Sequence, residues 1–229
     1  MGNLLKAEFY KLSRRWSFWG TLLISITLSS ILLIDGLNRV SGMWRASLFI
    51  SPNLYFLCIV FSALFVGEEF ENRTLHCLVS AGHGRGHILL AKMLAYQTAA
   101  VVFVTAPLLL HTMIGTALGS GIPAELLQNL YFVLTAALAM GILPFLIAVF
   151  LRSVGKTIAV SLTAFGLMLF ALNGSHRVLA STILPVGHLR LLAEGNSPVS
   201  FTALAGIDAI WLLAAYAAAY LSFFRSDLK

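Results

Sequence analysis

The sequence predicts an all-α membrane protein with six spanning helices and both termini in the cytoplasm. Three observations carry that expectation. The first is composition: of 229 residues, 59% are hydrophobic and 10% charged, and the mean hydropathy is +0.90. Soluble domains carry roughly a quarter charged residues, and a fold of this size has no interior large enough to hide so much apolar surface. Disorder is excluded as well, because disordered chains are poor in hydrophobes and rich in charge. The second observation is six apolar runs, each close to or above the roughly 20 residues that cross a hydrocarbon core as a helix. The third is the placement of the basic residues, taken up after the spans.

The opening LLKAEFYKLSRRWSFWG reads as an amphipathic helix ending in Lys11, Arg14 and Arg15, followed by a first span over residues 16–34. Basic residues before an apolar run also fit a signal peptide. The run of 19 residues is longer than a usual signal core and no small-x-small cleavage site follows, so it is expected to be a retained helix. The second span covers 46–66. The third starts at Met93, and the charge-free run to Ala124 is too long for one straight helix; Gly115, Gly119, Gly121 and Pro123 place its end near Ile114. The fourth covers 126–151, the fifth 157–173 and the sixth 203–224. All belong to one transmembrane domain over 1–229, with a cytoplasmic loop at 67–92. Pro107 and Pro144 are expected to kink the third and fourth helices. Small residues recur at four-residue spacing as Thr21, Ser25 and Ser29, as Gly155, Ala159 and Thr163, and as Ala214, Ala215, Ala218 and Ala219. Such stripes let helices pack closely, here within one subunit.

Eleven basic residues (Lys6, Lys11, Arg14, Arg15, Arg73, Arg85, Lys92, Arg152, Lys156, Arg225 and Lys229) fall on one side of this topology, and four (Arg39, Arg45, Arg177 and Arg190) on the other. The positive-inside rule puts the eleven in the cytoplasm. The net charge of +6 is therefore a topology signal rather than a footprint for nucleic acid, and membrane lipid is the expected surroundings. Cys58 falls in a span and Cys77 in a loop, so a disulfide between them is not expected.

The most informative stretch is GEEFENRTLHCLVSAGHGRGHILLAK, residues 67–92. Three carboxylates, Glu68, Glu69 and Glu71, open it. Glu69 and Arg73 stand i,i+4, the favourable order for a helical ion pair. Leu75, Leu78 and Val79 give a short apolar face, which Gly82, Gly84 and Gly86 interrupt. The pattern reads as an extension of the second helix, a short amphipathic helix along the membrane surface, and a turn into the third span. A helix of that kind is a surface for a soluble partner.

Glu68 and Glu69, followed by Arg73, Thr74, Leu75, Leu78, Ser80, Gly82, Arg85, Ile88 and Lys92, resemble the membrane-spanning subunits of type-2 ABC exporters. Those carry an acidic end on the second helix and then G-T-L-x-x-L-x-S-x-G-x-S-R-x-x-I-x-x-x-K. The chain departs at Arg73, where glycine is common, and at Gly84, where serine is common. The N-terminal segment looks like that family's start too. The resemblance implies a non-catalytic permease subunit that pairs with a second permease, the same or a homologous chain. It also implies docking of a cytoplasmic ABC ATPase through the loop carrying Glu68, Glu69, Glu71, Arg73, Thr74, Leu75, Leu78, Arg85 and Lys92. ATP and Mg would be bound by that ATPase, with no cofactor or metal on this chain. It further implies that part of the connection holding Pro185, Gly187, His188 and Arg190 dips into the outer leaflet. The expected setting is a bacterial-type plasma membrane, and the expected cargo an amphiphile such as a peptide antibiotic, drug or lipid-like compound.

Other motifs compete with this reading. Gly155-Lys156-Thr157 suggests a phosphate loop, but the first glycine of G-x-x-x-x-G-K-[ST] is Phe150 here. Glu68-Glu69-x-x-x-Arg73 is similar to the first motif of CAAX-type intramembrane metalloproteases, whose paired carboxylates activate water. The F-x-x-x-H and H-x-x-x-[DN] partners of that motif are absent. His83 and His87 could face one metal on a helix, yet Gly84 and Gly86 make a regular helix there doubtful. Asp208 falls near the outer start of the sixth span, at the membrane boundary or facing a pathway. A stand-alone secondary transporter is the remaining alternative; ion-coupled carriers usually keep ionisable groups at mid-membrane, and these spans hold almost none.

Overall fold

The computed structural model describes residues 2–39, 42–119, 126–175, 177–195 and 199–225. Among them there is no strand, and six helices are long and apolar enough to cross a membrane. Gly121, Pro123 and Lys229, which entered the reading of loops and charges, lie outside the described residues.

Helix α1 (Gly2–Arg14) buries Leu4, Glu8 and Leu12, one face at i, i+4, i+8. Helix α2 (Trp16–Arg39) is the first spanning helix. The second is a composite: α3 (Met43–Ile50), a 3₁₀ turn (Ser51–Leu54) opened by Pro52, α4 (Tyr55–Ser62), a π turn (Ala63–Gly67) and α5 (Glu68–Glu71). After Asn72 and Arg73 comes the short helix α6 (Thr74–Ser80), where the pattern of leucines predicts one. Its Leu75 is buried, and Leu78 and Val79 pack on the core.

Helix α7 (Arg85–Ala117) begins eight residues before the expected Met93, so the loop is shorter than the sequence suggests. Lys92 reads as a boundary residue, but its charge is matched inside the protein and does not need water. Helices α8 (Leu126–Leu151) and α9 (Val154–Asn173) follow, and both α7 and α8 run on through Pro107 and Pro144. Gly155, Lys156 and Thr157 form the first turn of α9, preceded by helix rather than strand, which is not the setting of a phosphate loop. The connection to the last span folds as α10 (Arg177–Ile183) and α11 (Pro185–Glu194), and α12 (Phe201–Phe224) ends the bundle.

Two layers result. The second, third and fourth spans are 72%, 61% and 72% buried and form the inner layer, while α2, α9 and α12 are only 28%, 17% and 22% buried. At the proximal end, α1, α6 and the end of α12 gather around α7 over a core of Phe61, Phe65, Tyr96, Phe103 and Phe145. At the distal end, α11 packs on α3 and α8 over Leu48, Tyr55, Leu108 and Val133. The stripe Thr21, Ser25, Ser29 is buried as expected. On α9 the expectation is overturned: Gly155, Ala159 and Thr163 face outward, and Thr157, Ser161 and Phe165 pack inward. Ala215 and Ala219 are buried on α12, whereas Ala214 is exposed.

Candidate functional site

The π turn Ala63–Gly67 leads directly into Glu68 and Glu69. Such a turn shifts the helical register by one residue and is frequent where a helix must aim side chains at a functional site. Here it directs both carboxylates toward basic residues of other elements. Glu69, 5% exposed, pairs with Lys11 of α1 and with Lys92 of α7, whose Nζ lies 2.6 Å from Glu69 Oε2. The same Nζ donates to Glu8 Oε2 at 2.9 Å, and Lys92 is 1% exposed. Arg15, at the joint between α1 and α2, pairs with Glu68 and donates to the carbonyl of Leu64 at 2.8 Å. Lys92 Nζ and the Arg15 guanidinium stand 5.0 Å and 5.6 Å from the ring centre of Phe65. Two acids and two lysines therefore close a neutral network around Lys92, and a third acid takes Arg15. Buried charges persist only when matched in this way.

The network ties three segments together: the N-terminal helix, the end of the second span and the third span. Beyond it, the stretch 71–84 carries exposed residues on one side and is held to the core by Leu75, Leu78 and Val79 on the other. Glu71, Arg73 and Thr74 are exposed, and Thr74 Oγ1 donates to the carbonyl of Glu69 at 3.2 Å. Ser153 Oγ donates to Glu71 at 3.0 Å, and Arg85 Nη1 donates to the carbonyl of Phe224 at 2.9 Å. The expected Glu69–Arg73 ion pair does not form. The helix stops at Asn72 and Arg73 takes a left-handed conformation, φ 56°, so the i,i+4 geometry is lost and Glu69 turns to the two lysines. Of the sequence-derived site residues, Glu68, Glu69 and Lys92 thus belong to the network. Leu75 and Leu78 anchor α6, and Glu71, Arg73 and Thr74 form the outward edge, with Arg85 against the end of α12.

Three network members, Glu8, Lys11 and Arg15, were missed as site residues by the sequence reading. Glu8 carried a signal, because an acid midway between Leu4 and Leu12 on an apolar helix face is expected to meet a buried cation. Lys11 carried none. The paired glutamates meet cations rather than histidine, which is not the carboxylate–histidine arrangement of a metalloprotease. His83 and His87 are exposed on either side of the extended Gly84. Among the described residues no cluster could hold a metal ion. Cys58 and Cys77 are unpaired.

The distal end holds a second polar group. Asp208, expected at a boundary or a pathway, is buried against His188 of α11, with Nδ1 to Oδ1 at 2.8 Å. His188 Nε2 lies 3.0 Å from the carbonyl of Thr182 and must donate to it, so the His–Asp pair shares one proton and is neutral overall. Trp211 Nε1 donates to the carbonyl of Ile183 at 2.8 Å, a second tie between the α10–α11 hairpin and α12. Beside the hairpin, a cleft of about 240 Å³ gathers Asp35, Asn53, Asn173 and Arg190 from four elements. Phe49 covers Arg190 at 4.8 Å and, with Leu169 and Leu172, gives the cleft apolar walls.

None of the curated proteins compared with the chain matches it. The profile of the ABC-2 family transporter proteins matches residues 4–172, from the N-terminal helix through the fifth span. The matched stretch holds every member of the proximal ion network. With six helices among the described residues long and apolar enough to cross a membrane, and a family profile covering most of its length, the chain belongs to the ABC-2 transporter family, as a membrane-embedded permease component.

Proposed function

We propose that this chain is the non-catalytic permease of an ATP-driven exporter and that segment 71–84 receives the motion of a separate ATPase. The observation that carries the reading is the network around Lys92. A push on the exposed edge at Glu71, Arg73 and Thr74 reaches α1, the second span and α7 together, because Glu69 and Lys92 bind all three. ATP and Mg belong to the partner, and the end bearing this segment faces the cytoplasm of a bacterial-type plasma membrane. Coupling then arises from different contacts at this edge in the two nucleotide states.

Two copies, or two homologous chains, form the pathway. The outward stripe Gly155, Ala159 and Thr163 on the sparsely buried α9 supports close approach of a second subunit. The distal cleft supports an amphiphilic cargo, because polar groups of Asn53, Asn173 and Arg190 line it beside apolar walls drawn from the second and fifth spans.

The test is reconstitution in vesicles with a candidate ABC ATPase from the same organism. The chain alone should hydrolyse no ATP, and the pair should move an amphiphilic peptide or dye in an ATP-dependent way. Substituting Arg73 and Thr74 together by Asp should break co-purification while the permease elutes and melts normally. Hydrolysis by the chain alone, or unchanged assembly of that variant, overturns the reading.

A further inference from the structure

At the proximal end, an open cleft of about 520 Å³ lies between the last turns of α8 and α12, and its charged lining residues are two arginines, Arg152 and Arg225. Its other walls are Phe150, Ala218, Leu221 and Ser222. Phe150 and Leu221 are 58% and 52% exposed, on helices that span the membrane. The cleft therefore has an apolar flank continuous with lipid-facing helix surface and a cationic rim at the helix ends.

Three cations at this end, Lys11, Arg15 and Lys92, each meet a carboxylate, while among the described residues the exposed Arg14, Arg73 and Lys156 do not. Arg152 and Arg225 differ from the first three, since among the described residues no carboxylate pairs with either. Arg152 is held by carbonyls, donating to Val149 and Ser222 at 3.5 Å each, and its guanidinium lies 5.9 Å from the ring of Phe70. Carbonyls orient a guanidinium without cancelling its charge. Arg152 also stands at φ 52°, a conformation that glycine adopts with least strain.

We propose that this cleft binds the headgroup of an anionic phospholipid, its phosphate between Arg152 and Arg225 and an acyl chain along Phe150 and Leu221. Guanidinium groups suit phosphate because their fixed fork of donors matches its oxygens. Basic pockets between helices at the membrane border favour anionic lipid for the same reason. The apolar flank is what selects a lipid over a soluble phosphate. Arg152, on the wall of the cleft, also borders the base of the candidate coupling segment. Arg152 faces Phe70, the adjacent Ser153 donates to Glu71, and a Cβ at Gly67 would touch the backbone of Ser153.

The full chain, delipidated in detergent and titrated with phosphatidylglycerol under native mass spectrometry, tests the assignment. Arg152→Gln and Arg225→Gln should each weaken phosphatidylglycerol retention about five-fold, and the double variant about twenty-five-fold, with phosphatidylcholine retention unchanged. Arg177→Gln, an exposed arginine elsewhere, should change nothing. Arg225 is exposed on the last turn of its helix, so its single variant keeps the test decisive if Arg152→Gln folds poorly. Unchanged retention in Arg225→Gln, or an equal loss in Arg177→Gln, overturns the proposal. So does glycerol 3-phosphate competing as well as the lipid, which would make this a soluble-phosphate site. None of these results depends on transport, so failure here leaves the permease reading standing.

Discussion

The two ends of the bundle bury polar groups by opposite means. At the proximal end the groups are full charges: Lys92 is enclosed with Glu8 and Glu69, and Lys11 completes the balance. At the distal end the groups form one pair that shares a proton, His188 with Asp208, backed by a backbone carbonyl. His111 follows the same economy, meeting the hydroxyls of Ser30 and Ser47 at 3.1 Å and 2.9 Å. Removing water from ions is far costlier than removing it from neutral dipoles. At the proximal end that cost is met by matching the buried charges across three segments, α1, the second span and α7. The contrast teaches that the proximal end is built as a joint and the distal end as a clasp.

The largest expected effect tests the joint. Lys92→Met leaves Glu8 and Glu69 facing each other without a buried cation, and such one-sided removal costs about 3–5 kcal/mol. Thermal unfolding in detergent should show a large fall in melting temperature or a loss of monodisperse protein. Adding Glu8→Gln and Glu69→Gln to Lys92→Met should recover most of that loss, because the one charge then left without a carboxylate, Lys11, has a side chain 45% exposed and can turn to water. A mild single variant, or a triple variant as unstable as the single, would show that the network is solvated.

The clasp should break more gently. Asp208→Asn keeps the size but weakens the bond to His188, at about 1–3 kcal/mol for a buried partner left poorly matched. Gly187→Ala probes the same hairpin by packing: a Cβ there would sit 2.5 Å from the α-carbon of Ser181 and 2.8 Å from its carbonyl oxygen. Backbone cannot swing aside as a side chain can, so α10 must shift against α11, at about 1–3 kcal/mol. Both variants should lower the melting temperature less than Lys92→Met does. If Asp208→Asn proves the more damaging, the ranking of the two ends is reversed.

The same contrast explains what could be read in advance. Spans were legible because length and apolarity are local, and all six appear within a few residues of their expected places apart from the start of α7. That start was hidden because Lys92 looks like a border while its partners stand 84 and 23 positions away, at Glu8 and Glu69. The short helix α6 was legible too, since Leu75 and Leu78 declare its apolar face. The His188–Asp208 pair was not, because neither residue sits in a periodic pattern and the α10–α11 fold-back that joins them is set by tertiary packing. Small-residue spacing on α9 showed a stripe but not its direction. Which face turns inward depends on Thr157 and Ser161 meeting the inner layer, and spacing is silent on that.

The smallest expected effect falls at the exposed edge. Arg73 holds φ 56° with its side chain in solvent, and among the described residues it makes no ion pair. A non-glycine residue in that region is strained by contact between its Cβ and the backbone. Members of the resembling family commonly place glycine at this position, and the left-handed turn between α5 and α6 is the physical reason. Arg73→Gly should therefore leave stability unchanged or raise it by about 0.5 kcal/mol, since relief of strain is partly offset by the freer unfolded chain. Unfolding should register little. Co-purification with the ATPase is the sharper measurement, because the guanidinium lies on the edge proposed to meet it. A variant that melts normally and assembles poorly separates the partner-facing edge from the joint beneath it. A variant that melts well below the parent would instead place Arg73 inside the joint, and the boundary between the two would have to move outward.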